Sequence, residues 1–146
     1  MSNQRLAQQM AFLEEIGKLK LVYRRSRLLH QPDRFENDAE HSWHQAMMVQ
    51  VLGELAEPGT DLFKVTRMLL VHDLVEIHAG DTFSYDETAS LDKEARELIA
   101  ADRLYSLLPP DQARELRQLW EEFETRQTAA ARFAAALDRL QPLIQN

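Results

Sequence analysis

The stretch from His72 to Asp81 is rich in side chains that can bind a metal or move a proton. Five of its ten residues qualify, namely His72, Asp73, Glu76, His78 and Asp81. The stretch directly follows the apolar run Met68–Val71, so we expect it to begin inside a buried element. Because an unpaired buried charge is costly, these ionisable groups need a compensating partner. A bound cation would supply one, which predicts a metal site here.

His72 and Asp73 are adjacent, so on a helix their side chains point about 100° apart. A cation between those two directions can contact both side chains. Imidazole and carboxylate together suit Mn, Fe, Co, Ni, Zn or Mg, and the chain has no cysteine for a thiolate site. Taken singly, His72 is typical of a core histidine and Asp73 of a surface carboxylate. Their position after an apolar run favours a site.

Two residues far away in sequence are candidates to complete the ligand set. His41 lies in the first turn of a predicted helix, and Asp138 lies on the last predicted helix. Four protein ligands on an octahedral ion would leave room for water and for a substrate oxygen. Water bound in this way is acidified into a nucleophile near neutral pH.

Glu76 follows His72 by four residues, so on one continuous helix both side chains would share a face. From there Glu76 could exchange a proton with the site, although a surface glutamate is the simpler alternative. Asp81 follows Gly80, and its side chain could turn back over the site or lie in a loop. His44 is one turn after His41, His78 is off-phase from His72, and His30 lies in a loop. Because these histidines do not assemble a second metal site, the sequence disfavours a dinuclear phosphodiesterase or a di-iron oxygenase.

Helical periodicity dominates the chain, and it predicts an all-α domain of about six helices. The first helix ends near Val22, and a loop containing Pro32 runs from His30 to Phe35. Asn37 and Glu40 form a predicted capping box that begins a second helix, which reaches about Ala56. On one face of that helix lie Trp43, Met47, Val51 and Leu55.

The remaining helices are marked by turn residues and apolar stripes. Asp61 caps a predicted third helix that carries His72 and Glu76 and ends at Gly80, before a polar loop over residues 81–90. The fourth, fifth and sixth helices carry stripes from Leu91 to Leu108, from Leu116 to Phe123 and from Phe133 to Ile144. Pro142 is expected to bend or end the sixth helix.

Length and charge limit the kind of protein. The 146 residues fit one domain, and the formal net charge of −7 argues against broad contact with nucleic acid or an anionic membrane. The absence of cysteine excludes disulfides and is compatible with the cytoplasmic location that we expect. No apolar run spans a bilayer and no signal-peptide pattern begins the chain.

The order His41, His72-Asp73, Asp138 resembles the HD-domain phosphohydrolases, and more closely their 5′-deoxynucleotidase-like branch. Four strings carry the resemblance, at residues 19–24 (LKLVYR), 36–42 (ENDAEHS), 72–81 (HDLVEIHAGD) and 136–142 (ALDRLQP). The resemblance implies one HD domain over residues 1–146 that binds one divalent metal ion. It further implies hydrolysis of nucleoside 5′-monophosphates to nucleoside and phosphate, by a homodimer.

Positions that match the family's motifs take on the family's roles as expectations. His41, His72, Asp73 and Asp138 match the metal ligands. Glu76 and Asp81 match two acidic residues at the reacting centre, and Arg24 matches an arginine that contacts the substrate phosphate. Each assignment is a prediction that rests on the resemblance.

The chain departs from the branch at two places. Some members have an aromatic residue directly after the phosphate arginine, where this chain has Arg25, so Arg25 becomes a candidate contact to the sugar and a strict preference for deoxyribose is in doubt. The chain also stops soon after Asp138, whereas relatives continue through a helical tail.

Two alternatives for the function remain open: a non-catalytic HD-type metal-binding or interaction module, and a phosphohydrolase for another small phosphorylated substrate.

Overall fold

A computed structural model describes residues 2–79 and 93–145. Within them lie six α-helices of 10–17 residues, one short α-helix and a two-stranded hairpin. In chain order these elements are α1 (Asn3–Ile16), β1 (Tyr23–Leu28), β2 (Gln31–Asn37), α2 (Asp38–Leu52), α3 (Leu62–Val71), α4 (Glu76–Ala79), α5 (Lys93–Tyr105), α6 (Pro110–Thr125) and α7 (Ala129–Gln145). The predicted all-α class is therefore confirmed.

The hairpin replaces the loop that the sequence predicted over His30–Phe35. Strands β1 and β2 pair in antiparallel fashion, with Leu28 opposite Gln31 and with register irregularities along the ladder. Pro32 is tolerated near the start of a strand in a two-stranded sheet, where a missing N–H costs little. The strands were missed because they are mostly polar, so they lack the alternation of apolar and polar residues that marks a half-buried strand.

The core consists of two clusters of buried apolar side chains. One joins α1, the segment around Val71–Ala79, α5 and α6. The other packs α7 against α2, α3 and α6, and its share of α7 includes the small residues Ala130, Ala131, Ala134 and Ala135. Small side chains at a helix contact allow the axes to approach closely. The alanine face therefore brings the N-terminal half of α7 close to α3.

The first half of helix α2 buries polar side chains, whereas its second half buries Met48 and Val49. His41 and Gln45 are fully buried, whereas Trp43 and Val51 on the apolar stripe are 64% and 68% exposed. A buried polar face requires internal partners, since buried polar groups without hydrogen bonds are costly. The face of α2 that points into the molecule is therefore the one that carries chemistry.

Two predicted helix ends are corrected by the structure. Helix α3 ends at Val71, and residues 72–75 form a turn in which the Glu76 N–H donates to the Asp73 carbonyl, 3.0 Å away. His72 and Glu76 therefore do not share one continuous helix. This turn lets Leu74 and Val75 enter the core, 6% and 2% exposed, while the neighbouring His72–Asp73 pair stays at the site.

At the C-terminal end, helix α7 continues past Pro142 to Gln145. Pro142 removes the N–H that would bond the Asp138 carbonyl, but only three helical residues follow it, so the helix extends less than one turn beyond the proline. The predicted Gly80 cap and the loop that follows it lie outside the described residues. Among the described helices, none combines the length and the apolar character needed to cross a membrane.

Candidate metal centre

The four predicted ligands converge on one point. Asp138 Oδ1 lies 2.9 Å from His41 Nε2 and 3.4 Å from His72 Nε2. Asp73 Oδ2 lies 3.3 Å from His72 Nε2 and 3.9 Å from His41 Nε2. Neighbouring ligand atoms around an octahedral ion with bonds of about 2.1 Å lie roughly 3 Å apart. The spacing thus fits a shared cation.

Local sequence explains how distant residues reach this point. The capping box forms as predicted, with Glu40 N–H donating to Asn37 Oδ1 and Asn37 N–H to the Glu40 carboxylate. It fixes the start of α2 and thereby holds His41 in the first turn. Asp138 follows the alanine face of α7, and the turn after α3 presents His72 and Asp73 together.

Both histidines turn the same ring nitrogen towards the shared point. His72 Nδ1–H donates to the Leu69 carbonyl, 2.6 Å away, and His41 Nδ1–H donates to Gln141 Oε1, 2.8 Å away. Each bond directs Nε2 rather than Nδ1 at the shared point, and in the neutral ring Nε2 then offers the lone pair that a metal requires. His72 Nε2 is buried and has no hydrogen-bond partner among the described residues. A cation would satisfy it, so the residues present fit a divalent metal.

The electrostatics of the cluster show how strongly these groups interact. Burial by itself lowers the pKa of His41, but the hydrogen bonds that its ring donates to Asp138 and Glu36 outweigh burial and raise the pKa to about 9. Burial likewise raises the pKa of Asp138, but the hydrogen bond that it accepts from His41 and the neighbouring His72 ring outweigh burial, so its pKa lies well below the usual range. A bound divalent cation would replace the histidine proton as the positive charge that faces these carboxylates.

Arg24 lies beside the ligand cluster. Its Nη1 is 3.3 Å from Asp73 Oδ2 and 3.1 Å from Asp38 Oδ1. Arg25, at the next position of β1, is exposed, and alternation along a strand points its side chain to the opposite face. Of the two predicted substrate contacts, the structure places Arg24 next to the metal ligands and Arg25 on the surface.

Glu76 begins α4, directly after the turn that carries His72 and Asp73. Burial, together with the charges of Asp73 and Glu97, raises the pKa of Glu76 to about 7. A carboxyl group with such a pKa can hold or release a proton near neutral pH. Asp81, the other predicted acidic residue, lies outside the described residues, and His78 faces away towards Glu15, 3.3 Å distant.

Three residues of the cluster were not predicted, although helical spacing could have found them. Asp38 and Gln45 lie three residues before and four residues after His41, and Gln141 lies three residues after Asp138, spacings that share a helix face. Gln45 Nε2 is 2.8 Å from His41 Nε2 and 2.7 Å from Asp138 Oδ1. Burial and the charge of Asp73 raise the pKa of Asp38 to about 6.

The chain carries this set of candidate ligands on a helical scaffold, and its sequence also matches a known domain. The sequence profile of the HD domain matches residues 16–146. The chain belongs to the HD-domain family. The HD assignment confirms the resemblance on which the ligand prediction rests.

Two kinds of relative support the same family. The human protein named 5′-deoxynucleotidase HDDC2 is 33% identical over 92% of this chain and 64% of its own length, and a Schizosaccharomyces pombe 5′-deoxynucleotidase is 24% identical. A crystal structure described as a predicted metal-dependent phosphohydrolase from Magnetospirillum magnetotacticum matches with TM-score 0.88 and 57% identity. That match covers 97% of this chain and 70% of the other. The chain thus spans about two thirds of the length of these proteins.

Proposed function

We propose that this HD protein is a metal-dependent phosphomonoesterase that hydrolyses nucleoside 5′-monophosphates to nucleoside and phosphate. The observation that carries the proposal is the cluster itself: four ligands meet at one point with an arginine, Arg24, 3.3 Å from one of them. A phosphate on a divalent cation at that point would lie within reach of the guanidinium. Relatives named 5′-deoxynucleotidase support the substrate class.

Each residue has a distinct part in the proposed reaction. His41, His72, Asp73 and Asp138 would hold the cation, and a cation bound there would supply Lewis acidity for a phosphate oxygen and for water. Arg24 donates N–H groups to the phosphate oxygens, and Asp38 orients its guanidinium. Glu76 accepts a proton or delivers one to the leaving 5′-oxygen, and Asp81 is proposed to share this task. A purely structural metal site has no use for these additional acidic groups.

Phosphate release from dAMP and AMP, with Mn²⁺ or Co²⁺ added to the purified chain, tests the proposal. We expect hydrolysis of both nucleotides and none of glucose 6-phosphate. His72→Ala and Asp73→Ala are expected to abolish both the bound metal and the activity, because each removes a ligand. Full metal occupancy in both variants would refute the proposed site. Activity on the sugar phosphate alone would favour another phosphorylated substrate.

Arg24 can be separated from the metal ligands by kinetics. We expect Arg24→Ala to raise KM for dAMP by about 10–100-fold, the size of a lost charge-assisted hydrogen bond. Its metal content should not fall, since the change leaves Asp73 and Asp38 without a competing cation. Steady-state kinetics and metal analysis measure both effects. An unchanged KM would make Arg24 a structural partner of the two carboxylates only.

Arg25 bears on the choice of sugar. We propose that both ribo- and deoxyribonucleotides are accepted with a modest preference for deoxyribose. At the position where some relatives carry an aromatic residue, this chain has Arg25, whose exposed side chain lies on the face of β1 opposite Arg24 and forms no wall against a 2′-hydroxyl. The ratio of kcat/KM for dAMP and AMP, in the wild type and in Arg25→Trp, tests this. A preference of several orders of magnitude in the wild type would show that another residue supplies the wall.

We also propose that the protein is a homodimer. An apolar stripe that begins on α2 and continues into the 3-10 turn Gly53–Leu55 is exposed: Trp43, Met47, Val51 and Leu55 are 64%, 47%, 68% and 72% exposed. A second copy of the chain would remove this surface from water. Light scattering on the wild type and on Val51→Glu tests the proposal. We expect a dimer that dissociates in the variant, and a monomeric wild type would refute it.

A further inference from the structure

Behind His41, on the side away from the shared ligand point, lies a buried polar cluster. Glu36 comes from β2, His41 from α2, and Gln141 and Gln145 from α7. Glu36, His41 and Gln141 are each at most 1% exposed. None of the proposed catalytic steps uses the Glu36 carboxylate. A charge buried this deeply is costly unless its partners compensate for it.

In this cluster two glutamine amides donate hydrogen bonds to the Glu36 carboxylate. Gln141 Nε2 donates to Glu36 Oε2 over 2.7 Å, and Gln145 Nε2 donates to the same oxygen over 2.6 Å. Because the amide of Gln141 directs its nitrogen at Glu36, its oxygen faces His41 Nδ1, 2.8 Å away. Glu36 Oε1 lies 3.3 Å from the same ring nitrogen and is also an acceptor. His41 Nδ1 therefore faces only acceptors and must carry a proton.

The chemistry of a carboxylate explains why residue 36 is glutamate. An ionised carboxylate can only accept hydrogen bonds, whereas an amide both donates and accepts. Glutamate at this position thus prevents the Gln141 amide from turning over. With glutamine instead, Gln141 could present its NH₂ group to His41 Nδ1, and the ring proton would then move to Nε2. A protonated Nε2 cannot bind a metal.

We propose that Glu36, acting through Gln141, is a positioning residue that fixes the tautomer of His41 and presents Nε2 to the metal. The inference rests on the proposed metal site, for which His41 is a ligand. It adds a carboxylate–amide–histidine connection that links the hairpin to the metal centre. Partners of this kind that orient ligating histidines typically change metal affinity by about 10–100-fold when they are lost.

The first test compares two nearly isosteric changes. Glu36→Gln should weaken Mn²⁺ binding, measured by calorimetric titration, about 10–100-fold. Gln145→Met is the matched control, because Gln145 donates to the same carboxylate oxygen but is not bonded to His41. If Glu36 served packing alone, both variants would lose thermal stability and neither would lose metal affinity. Glu36→Gln affinity within about twofold of the wild type would overturn the inference.

The second test does not depend on folding of a variant. In zinc-loaded wild-type protein, nitrogen-15 NMR should show a proton directly bonded to Nδ1 of His41, with Nε2 bound to the metal. Coordination through Nδ1 instead would overturn the inference.

Gln141→Met supplies a second variant, and we expect weaker Mn²⁺ binding in it as well, since the amide link between Glu36 and His41 is broken.

These outcomes are distinguishable from a failure of the proposed function. If the wild-type chain binds no Mn²⁺, Co²⁺ or Zn²⁺, the metal site and this inference fall together. If the wild type binds metal and hydrolyses nucleotides while Glu36→Gln and Gln141→Met bind Mn²⁺ as tightly, only the inference falls. Arg24 Nε lies 3.7 Å from Glu36 Oε1, so an effect on KM alone would assign Glu36 to Arg24 rather than to His41 and would also overturn it.

Discussion

At the scale of single residues, the site is defined by which atom of each side chain faces the shared ligand point. His41 and His72 each donate through Nδ1 to a carbonyl or amide oxygen, so both offer Nε2 to the same point. Glu76 enters through a turn and a separate short helix rather than through the helix face shared with His72 that the spacing predicted. Its place next to Asp73 nevertheless keeps it a candidate for proton transfer.

Glu76→Gln tests that role. We expect the fold and the metal content to be retained while kcat falls by about 10²–10⁴-fold, because the amide keeps the size of the side chain but cannot carry a proton. The measurement is kcat at saturating dAMP, with the melting temperature and metal content as controls. A near-normal kcat would transfer the role to Asp81, which Asp81→Asn would reveal. Activity in both variants would contradict the proton-transfer mechanism.

His41 makes the metal-free protein sensitive to pH. Its folded pKa of about 9 exceeds the unfolded value of 6.5, so the protonated ring stabilises the fold fully below pH 6.5. That contribution is lost as the pH rises through about 9. In EDTA, urea unfolding between pH 6 and 10 should show stability falling over this window. His41→Gln should remove that slope, and an equal slope in both proteins would contradict the assignment.

At the scale of elements, the helices are positioned by their ends as much as by their apolar faces. The capping box at the start of α2 sets His41, and the early end of α3 sets His72 and Asp73. Helix α6 ends on Arg126 in the left-handed conformation, with φ of 55°. This region favours glycine, since a Cβ atom there is strained.

Arg126→Gly should therefore stabilise the protein. We expect the free energy of unfolding to rise by about 0.5–1 kcal/mol, which is the relieved strain less the greater chain entropy of unfolded glycine. Urea denaturation measures it. Arg126→Ala is the control, because it removes the charged side chain but keeps Cβ. An equal gain in the alanine variant would attribute the effect to the charge rather than to the backbone.

At the scale of the whole molecule, the proposed metal joins parts of the chain that are nearly one hundred residues apart. His41 and Asp138 are separated by 97 positions and meet at 2.9 Å. The cation would therefore connect α2, the turn after α3, and α7. Since the unfolded chain does not hold these ligands together, binding energy adds to the stability of the fold.

Metal addition should accordingly raise the melting temperature. At Mn²⁺ concentrations of about 100 times Kd we expect a gain of roughly 5–10 °C for a domain of this size. Thermal melts with EDTA or Mn²⁺ measure it. His72→Ala should melt at the same temperature in both, whereas His30→Ala, an exposed histidine outside the ligand cluster, should behave like the wild type. A shift in His72→Ala equal to that of the wild type would locate the metal elsewhere.

Sequence alone determined the helical class and predicted the four candidate ligands. Helical periodicity and the Asn37–Glu40 capping box are local signals, and both are confirmed because neighbouring residues decide them. His41, His72, Asp73 and Asp138 were found through their order and their family resemblance, and the structure brings them together.

Tertiary structure alone decided how these parts fit. The polar hairpin forms by pairing of its two strands and by contacts to α2 and α7, which no local apolar pattern indicates. Helix α3 stops at Val71, and the turn that follows places Leu74 and Val75 in the core beside His72. In a continued helix, the side chains of these two successive residues would point about 100° apart. Gln141 shares a helix face with Asp138, but its hydrogen bond to His41 depends on the packing of α7 against α2 across 100 residues, which local spacing cannot specify.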